Sequence, residues 1–117
     1  MADYRIYHNP RCSKSRQTLA LLEEQGISPQ VILYLQTPPD AATLKRLVKQ
    51  LGMAHPHELL RKGEAEYREA GLSPDSPADT VLNAMVRYPK LIERPIVVHG
   101  QRAVLGRPPE NVLDLMS

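Results

Sequence analysis

The stretch Tyr7-His8-Asn9-Pro10-Arg11-Cys12-Ser13-Lys14-Ser15-Arg16 decides how the chain folds, because a short strand ends in it and a helix begins in it. Residues Tyr4 to Tyr7 read as the strand. Asn9-Pro10 is a turn signal: proline fixes φ and lacks an N–H, and asparagine bonds its own backbone. Ser13 and Ser15 are small and polar, and the apolar run Leu19 to Leu22 follows at once. This pattern predicts a helix from Ser13 to about Gln25, ended by Gly26 in the left-handed conformation that glycine tolerates. Cys12, the only cysteine, stands at the helix start. Backbone N–H groups without intrahelical acceptors, at the positive end of the helix dipole, favour a thiol anion there.

Working outward, Val31 to Leu35 is a continuous β-prone run. It predicts a strand buried on both faces and, with the first strand and helix, a βαβ unit holding a parallel pair and a right-handed crossover. Thr37-Pro38-Pro39-Asp40 breaks the chain, and Asp40 can cap a helix whose Leu44, Leu47, Val48 and Leu51 recur at helical spacing before Gly52. Pro56 suits the first turn of a short helix through Leu60. Another helix is framed by Gly63 and Gly71, and Asp79 is positioned to cap a third that ends before Pro89. Pro95 to His99, Gly100-Gln101 and Ala103 to Leu105 read as a β-hairpin, and Gly106-Arg107-Pro108-Pro109 leads into a closing helix. The order βαβ, helices, ββα predicts an α/β domain, 1–117. Its core is a thioredoxin-like four-stranded mixed sheet with helices on both faces, and a helical insertion occupies about 40–90.

Composition narrows the function. A chain of 117 residues supports one continuous core, and 15 basic against 13 acidic residues leave no strong charge bias. The five tyrosines, without Phe or Trp, show no basic face with interleaved aromatics, so nucleic acid is not an expected partner. The longest apolar run is too short to span a membrane, and Met1 to Arg5 leaves no room for a leader peptide. A single cysteine cannot form an internal disulfide, which points to a reducing cytoplasm and means that an oxidised Cys12 needs an outside thiol.

Without context, a lone cysteine is more often a buried apolar filler than a nucleophile. Cys12, however, lies in a polar loop between Arg11 and Ser13, outside the apolar runs. An ordinary free thiol, with a pKa of about 8.5, is only about 3% thiolate at pH 7, and making the anion dominant takes roughly 2.7 kcal/mol. A helix terminus supplies about 0.3–1 kcal/mol, and up to about 2 when partly buried. Other groups must contribute, and His8, Arg11, Lys14, Ser15 and Arg16 are the local candidates. Arg61, Arg94 and Arg107 each stand at an element boundary. Against the reading of ordinary surface cations, their convergence on Cys12 would form a fork-shaped clamp for a tetrahedral oxyanion, which guanidinium suits better than ammonium. Arg94-Pro95 precedes a strand expected near the active loop, and the sequence leaves a cis or a trans peptide open there. His55, His57 and His99 lack metal-type spacing, so no metal is expected. Arg16 follows Cys12 too closely, and Thr18 stands where a tyrosine-phosphatase-like loop needs arginine. Ser15 occupies the second place of a Cys-x-x-Cys pair.

His8-Asn9-Pro10-Arg11-Cys12-Ser13-Lys14-Ser15-Arg16-Gln17-Thr18-Leu19 resembles the active loop of the ArsC-type, glutaredoxin-dependent arsenate reductases. Tyr34-Leu35-Gln36-Thr37-Pro38-Pro39, Leu59-Leu60-Arg61-Lys62, Glu93 to Val98 and Gly106-Arg107-Pro108 resemble further family segments in the same order. The resemblance implies that Cys12 attacks arsenate while Arg61, Arg94 and Arg107 hold the oxyanion and the thiol–arsenic adduct. It also implies that His8, Ser15 and Arg16 tune the thiolate. Glutathione, a co-substrate rather than a bound cofactor, then attacks the adduct, and glutaredoxin removes the glutathione. Gly106 stands where some members carry a second cysteine. Two alternatives remain open: a Spx-type regulator that binds RNA polymerase without catalysis, and a glutathione-dependent thiol enzyme with another substrate. Ser15 removes the Cys-x-x-Cys switch of the first, and an oxyanion clamp separates the reductase from the second.

Overall fold

The computed structural model describes residues 4–116; Met1 to Asp3, on which the expected absence of a leader rests, and Ser117 lie outside them. Backbone proximity groups the chain into two compact units, residues 1–37 with 94–117, and residues 38–93.

The first unit holds a four-stranded mixed sheet in the order β2-β1-β3-β4. Strand β1 (Tyr4–Tyr7) lies between β2 (Gln30–Ile32), to which it is parallel, and β3 (Ile96–His99), to which it is antiparallel. Strand β4 (Arg102–Leu105) closes the hairpin with β3 around Gly100, whose φ of 62° is the left-handed value this tight reversal needs. Helix α1 (Ser13–Glu24) packs against a 3-10 helix, Pro109–Met116. Period-two alternation sends Ile6 and Val97 to the face where they join Leu22, Val112 and Leu115 in a fully buried cluster. Burying such side chains at about 1.5–3 kcal/mol each is what fixes the strand register.

Two sequence expectations change here. Strand β2 is three residues long, not five, and it is not buried on both faces: among the described residues it pairs only with β1, and Val31 is 45% exposed. The apolar run ends as a turn instead, with the N–H groups of Gln36 and Thr37 both donating to the Leu33 carbonyl and Tyr34 buried beyond the strand. The closing helix is 3-10 rather than α.

The second unit, residues 38–93, is helical. Asp40 caps α2 (Ala41–Gln50) by accepting the Thr43 N–H at 2.8 Å, and Leu44, Leu47 and Val48 form its buried face. The 3-10 turn Pro56–Leu59, α3 (Ala65–Glu69), α4 (Ala78–Arg87) and the 3-10 turn Pro89–Leu91 follow. Helix α4 packs on α2 and on both 3-10 turns through Val81, Leu82, Ala84 and Met85. Its cap position is Pro77, not Asp79 as expected: Val81 N–H donates to the Pro77 carbonyl, which places Asp79 inside the first turn, where its charge suits the helix dipole. No helix among the described residues is long and apolar enough to cross a membrane.

Candidate active site

Strand β1 hands the chain to α1 through a loop that folds back on the helix's first turn. His8 N–H continues the sheet by donating to the Ile32 carbonyl at 2.8 Å. Asn9 then shapes the turn: its side-chain oxygen accepts the Arg11 N–H at 3.0 Å, and its carbonyl accepts the Cys12 N–H at 2.9 Å. Arg16 reaches back with Nη1 to the Pro10 carbonyl at 2.8 Å. Cys12 is the N-cap residue of α1, in extended conformation, half-buried, and makes no side-chain cap hydrogen bond. The thiol therefore sits at the positive end of the helix beside the orphan first-turn amides.

Ser15, fully buried, joins the loop to the helix. Its Oγ accepts the Asn9 N–H at 3.0 Å and lies 2.6 Å from His8 Nδ1. The Asn9 amide takes one of the two Oγ lone pairs, so the short His8–Ser15 hydrogen bond forms with either neutral tautomer of the ring. Burial, and then the positive charge of Arg16, hold the His8 pKa below its ordinary value, in keeping with a neutral ring.

The sheet register places two of the three arginines. Tyr7 pairs with Ile96, and Ile96 pairs with Leu105, so these three residues end their strands on one rung. Adjacent strands lie about 4.8 Å apart, so the rung spans about 10 Å. His8 leaves β1 at this end, Arg94 enters β3 two residues before Ile96, and Arg107 leaves β4 two residues after Leu105. Arg107 Nη1 donates to the Arg94 carbonyl at 3.2 Å, and both Arg94-Pro95 and Arg107-Pro108 are cis. Helix α1 is tied to this corner through Thr18. The Thr18 hydroxyl lies 2.8 Å from the Lys14 carbonyl and 3.3 Å from the Gly106 carbonyl, and Gly106 N–H donates to the Pro95 carbonyl at 2.9 Å. Cys12, His8, Ser15, Arg16, Arg94 and Arg107 are thus all carried at one end of the sheet.

Arg61 belongs to the second unit. Its Nη1 lies 3.0 Å from Glu64 Oε2 and its Nε 3.5 Å from Glu93 Oε1. Sequence reasoning passed over these carboxylates, as it passed over Thr18. Thr18 had a signal: Ser15, Thr18 and Leu22 recur at the spacing of one buried helix face.

A lone cysteine heading the helix that follows β1, with two Arg-Pro corners at the same sheet end, defines a thioredoxin-like protein with a single candidate nucleophile. Residues 7–115 match the model of the ArsC family, and the chain belongs to that family. Among curated relatives, the protein described as uncharacterized protein YfgD of Escherichia coli (strain K12) is 56% identical over 113 residues, covering 96% of this chain and 95% of that one. The arsenate reductase of Neisseria meningitidis (strain MC58) is 46% identical over 113 residues, covering 96% and 97%. The solved arsenate reductase from Vibrio cholerae is 53% identical with a TM-score of 0.92, covering 96% of each chain.

Proposed function

We propose that the protein is an arsenate reductase working through a Cys12 adduct that glutathione and glutaredoxin resolve. The observation that carries this reading is the gathering of Cys12, Arg94 and Arg107 at one sheet end, supported by relatives that bear the name arsenate reductase. The Cys12 thiolate attacks arsenic; one As–O bond is replaced by As–S, and the departing hydroxyl takes a proton from solvent and leaves as water. Arg94 and Arg107 hold the remaining oxygens, and the α1 amides stabilise the charge. The family resemblance adds Arg61 as a third oxyanion ligand.

Glutathione thiolate then attacks the Cys12 sulfur. The S–As electron pair stays on arsenic, which falls from the +5 to the +3 state and leaves as arsenite. Cys12 is left in a mixed disulfide with glutathione, and a glutaredoxin thiol takes over the glutathione and frees Cys12. The chain offers no second cysteine for this step, so the reducing equivalents come from outside thiols, in keeping with the cytoplasm. His8 and Ser15 hold the loop that presents Cys12, and Arg16 adds positive charge beside it.

The test is an arsenate-reduction assay with glutathione and glutaredoxin each present or omitted. Arsenite should form through repeated turnovers only with both, should stop at about one equivalent per chain when glutaredoxin is omitted, and Cys12→Ser should abolish it. Absence of turnover by the unaltered chain under full conditions would remove the proposal.

A further inference from the structure

Arg61 is anchored in the second unit through both its backbone and its side chain. Its backbone N–H donates to the Leu91 carbonyl at 2.8 Å, and Glu93 N–H donates to the Leu59 carbonyl at 2.9 Å. The antiparallel bridge between Leu60 and Ile92 lies between these two bonds. This clasp fixes Arg61 and Glu93 as neighbours, and Glu64, three residues after Arg61, completes the set. Two carboxylates face one guanidinium, so the cluster carries a net charge of about −1. They approach Arg61 at Nη1 and at Nε. The three side chains are only about three-quarters buried, so water and small ions reach them.

We propose that Glu64 and Glu93 are positioning residues that stand in for an oxyanion on Arg61 and thereby set how tightly the protein binds one. The inference rests on the reading of Arg61 as an oxyanion ligand. A carboxylate oxygen and an arsenate or phosphate oxygen accept from guanidinium in the same fork geometry. An incoming dianion therefore displaces one carboxylate or meets the repulsion of both. In exchange, the carboxylates hold the long arginine side chain oriented before substrate arrives.

The test is calorimetric titration of the full chain with inorganic phosphate, a tetrahedral oxyanion that thiols do not reduce. Glu64→Gln and Glu93→Gln each keep side-chain shape and remove charge. Each should bind phosphate roughly two- to fivefold tighter, the scale of one partly exposed ion pair. The gain should vanish when combined with Arg61→Ala. A purely structural role would weaken binding instead, and weaker or unchanged binding in both variants, with Arg61→Ala still weakening it, overturns this inference alone. Phosphate binding that ignores Arg61→Ala, or no phosphate binding at all, overturns the Arg61 reading and this inference with it. Circular dichroism checks that each variant folds; if one does not, the other carries the test.

Discussion

Gly106 packs against the helix that carries Cys12, and adding one methyl group there tests the corner directly. A Cβ built on Gly106 comes within 2.9 Å of both Pro95 Cγ and Thr18 Cγ2, and closer still to Thr18 Oγ1. Carbon atoms prefer about 3.5–4.0 Å, so Thr18 or the β4 end must move. Overpacking of this kind costs about 1–3 kcal/mol. Gly→Ala also stabilises by about 0.4–1 kcal/mol through the unfolded chain, since Gly106 does not have positive φ. The net expectation for Gly106→Ala is a loss of about 1–2 kcal/mol. With an unfolding entropy of about 2.1 cal/mol/K per residue over 117 residues, that lowers Tm by about 4–8 °C. Thermal unfolding followed by circular dichroism measures it. Thr18→Ala removes two of the three crowding atoms, so the double variant should lose less than the sum of the two singles, with coupling above about 0.5 kcal/mol. An unchanged or raised Tm in Gly106→Ala, or strict additivity with Thr18→Ala, would refute the packing argument.

Arg94→Ala and Arg107→Ala should each lower kcat/KM for arsenate roughly 10- to 100-fold, the worth of one charge-assisted hydrogen bond; unchanged kinetics in both would leave them as surface cations. His8 and His57 are both held below their ordinary pKa, chiefly by burial, with Arg16 adding to the first, and Lys62 and then His55 to the second. The unfolded chain then binds more protons than the folded one, so this stability is fully present above about pH 6.5 and is lost as pH falls through the lowered folded values. The urea midpoint should therefore drop between pH 7.5 and 5, and less steeply in His57→Gln; a steeper drop in that variant would contradict the assignment. Asp40→Ala should lower the urea midpoint while Asp40→Asn retains it, because an amide oxygen still accepts the Thr43 N–H. Equal losses in both would show that the charge, not the cap, matters.

The parts of the fold that were legible in the sequence are those where local chemistry and tertiary packing agree. Asn9-Pro10 and the start of α1 at Ser13 coincide because the turn chemistry needs nothing from elsewhere. Asp40 and the α2 stripe were equally direct. Val31 to Leu35 misled because a continuous apolar run does not reveal whether a strand is central or at an edge, nor where it breaks. Only the pairing order and the bonds to the Leu33 carbonyl decide that. Asp79 misled because any of several polar residues near a helix start can serve as cap, and Pro77 holds the position.

In the candidate site, Cys12, His8 and Ser15 were readable as one local segment. The common placement of Arg94 and Arg107 follows from strand register, which no local pattern contains. Thr18 and Glu93 act through partners distant in sequence, and Glu64, three residues from Arg61, gains its role only once the bridge to Ile92 sets Glu93 beside the same guanidinium.

The most direct test of the central claim, that Cys12 attacks an oxyanion and is then released by outside thiols, is intact-mass spectrometry of the full chain mixed with arsenate and glutathione without glutaredoxin. A single glutathione should appear on Cys12 only when arsenate is present, and glutaredoxin should remove it. Glutathionylation that is indifferent to arsenate, or none on a chain that nevertheless forms arsenite, would contradict the account.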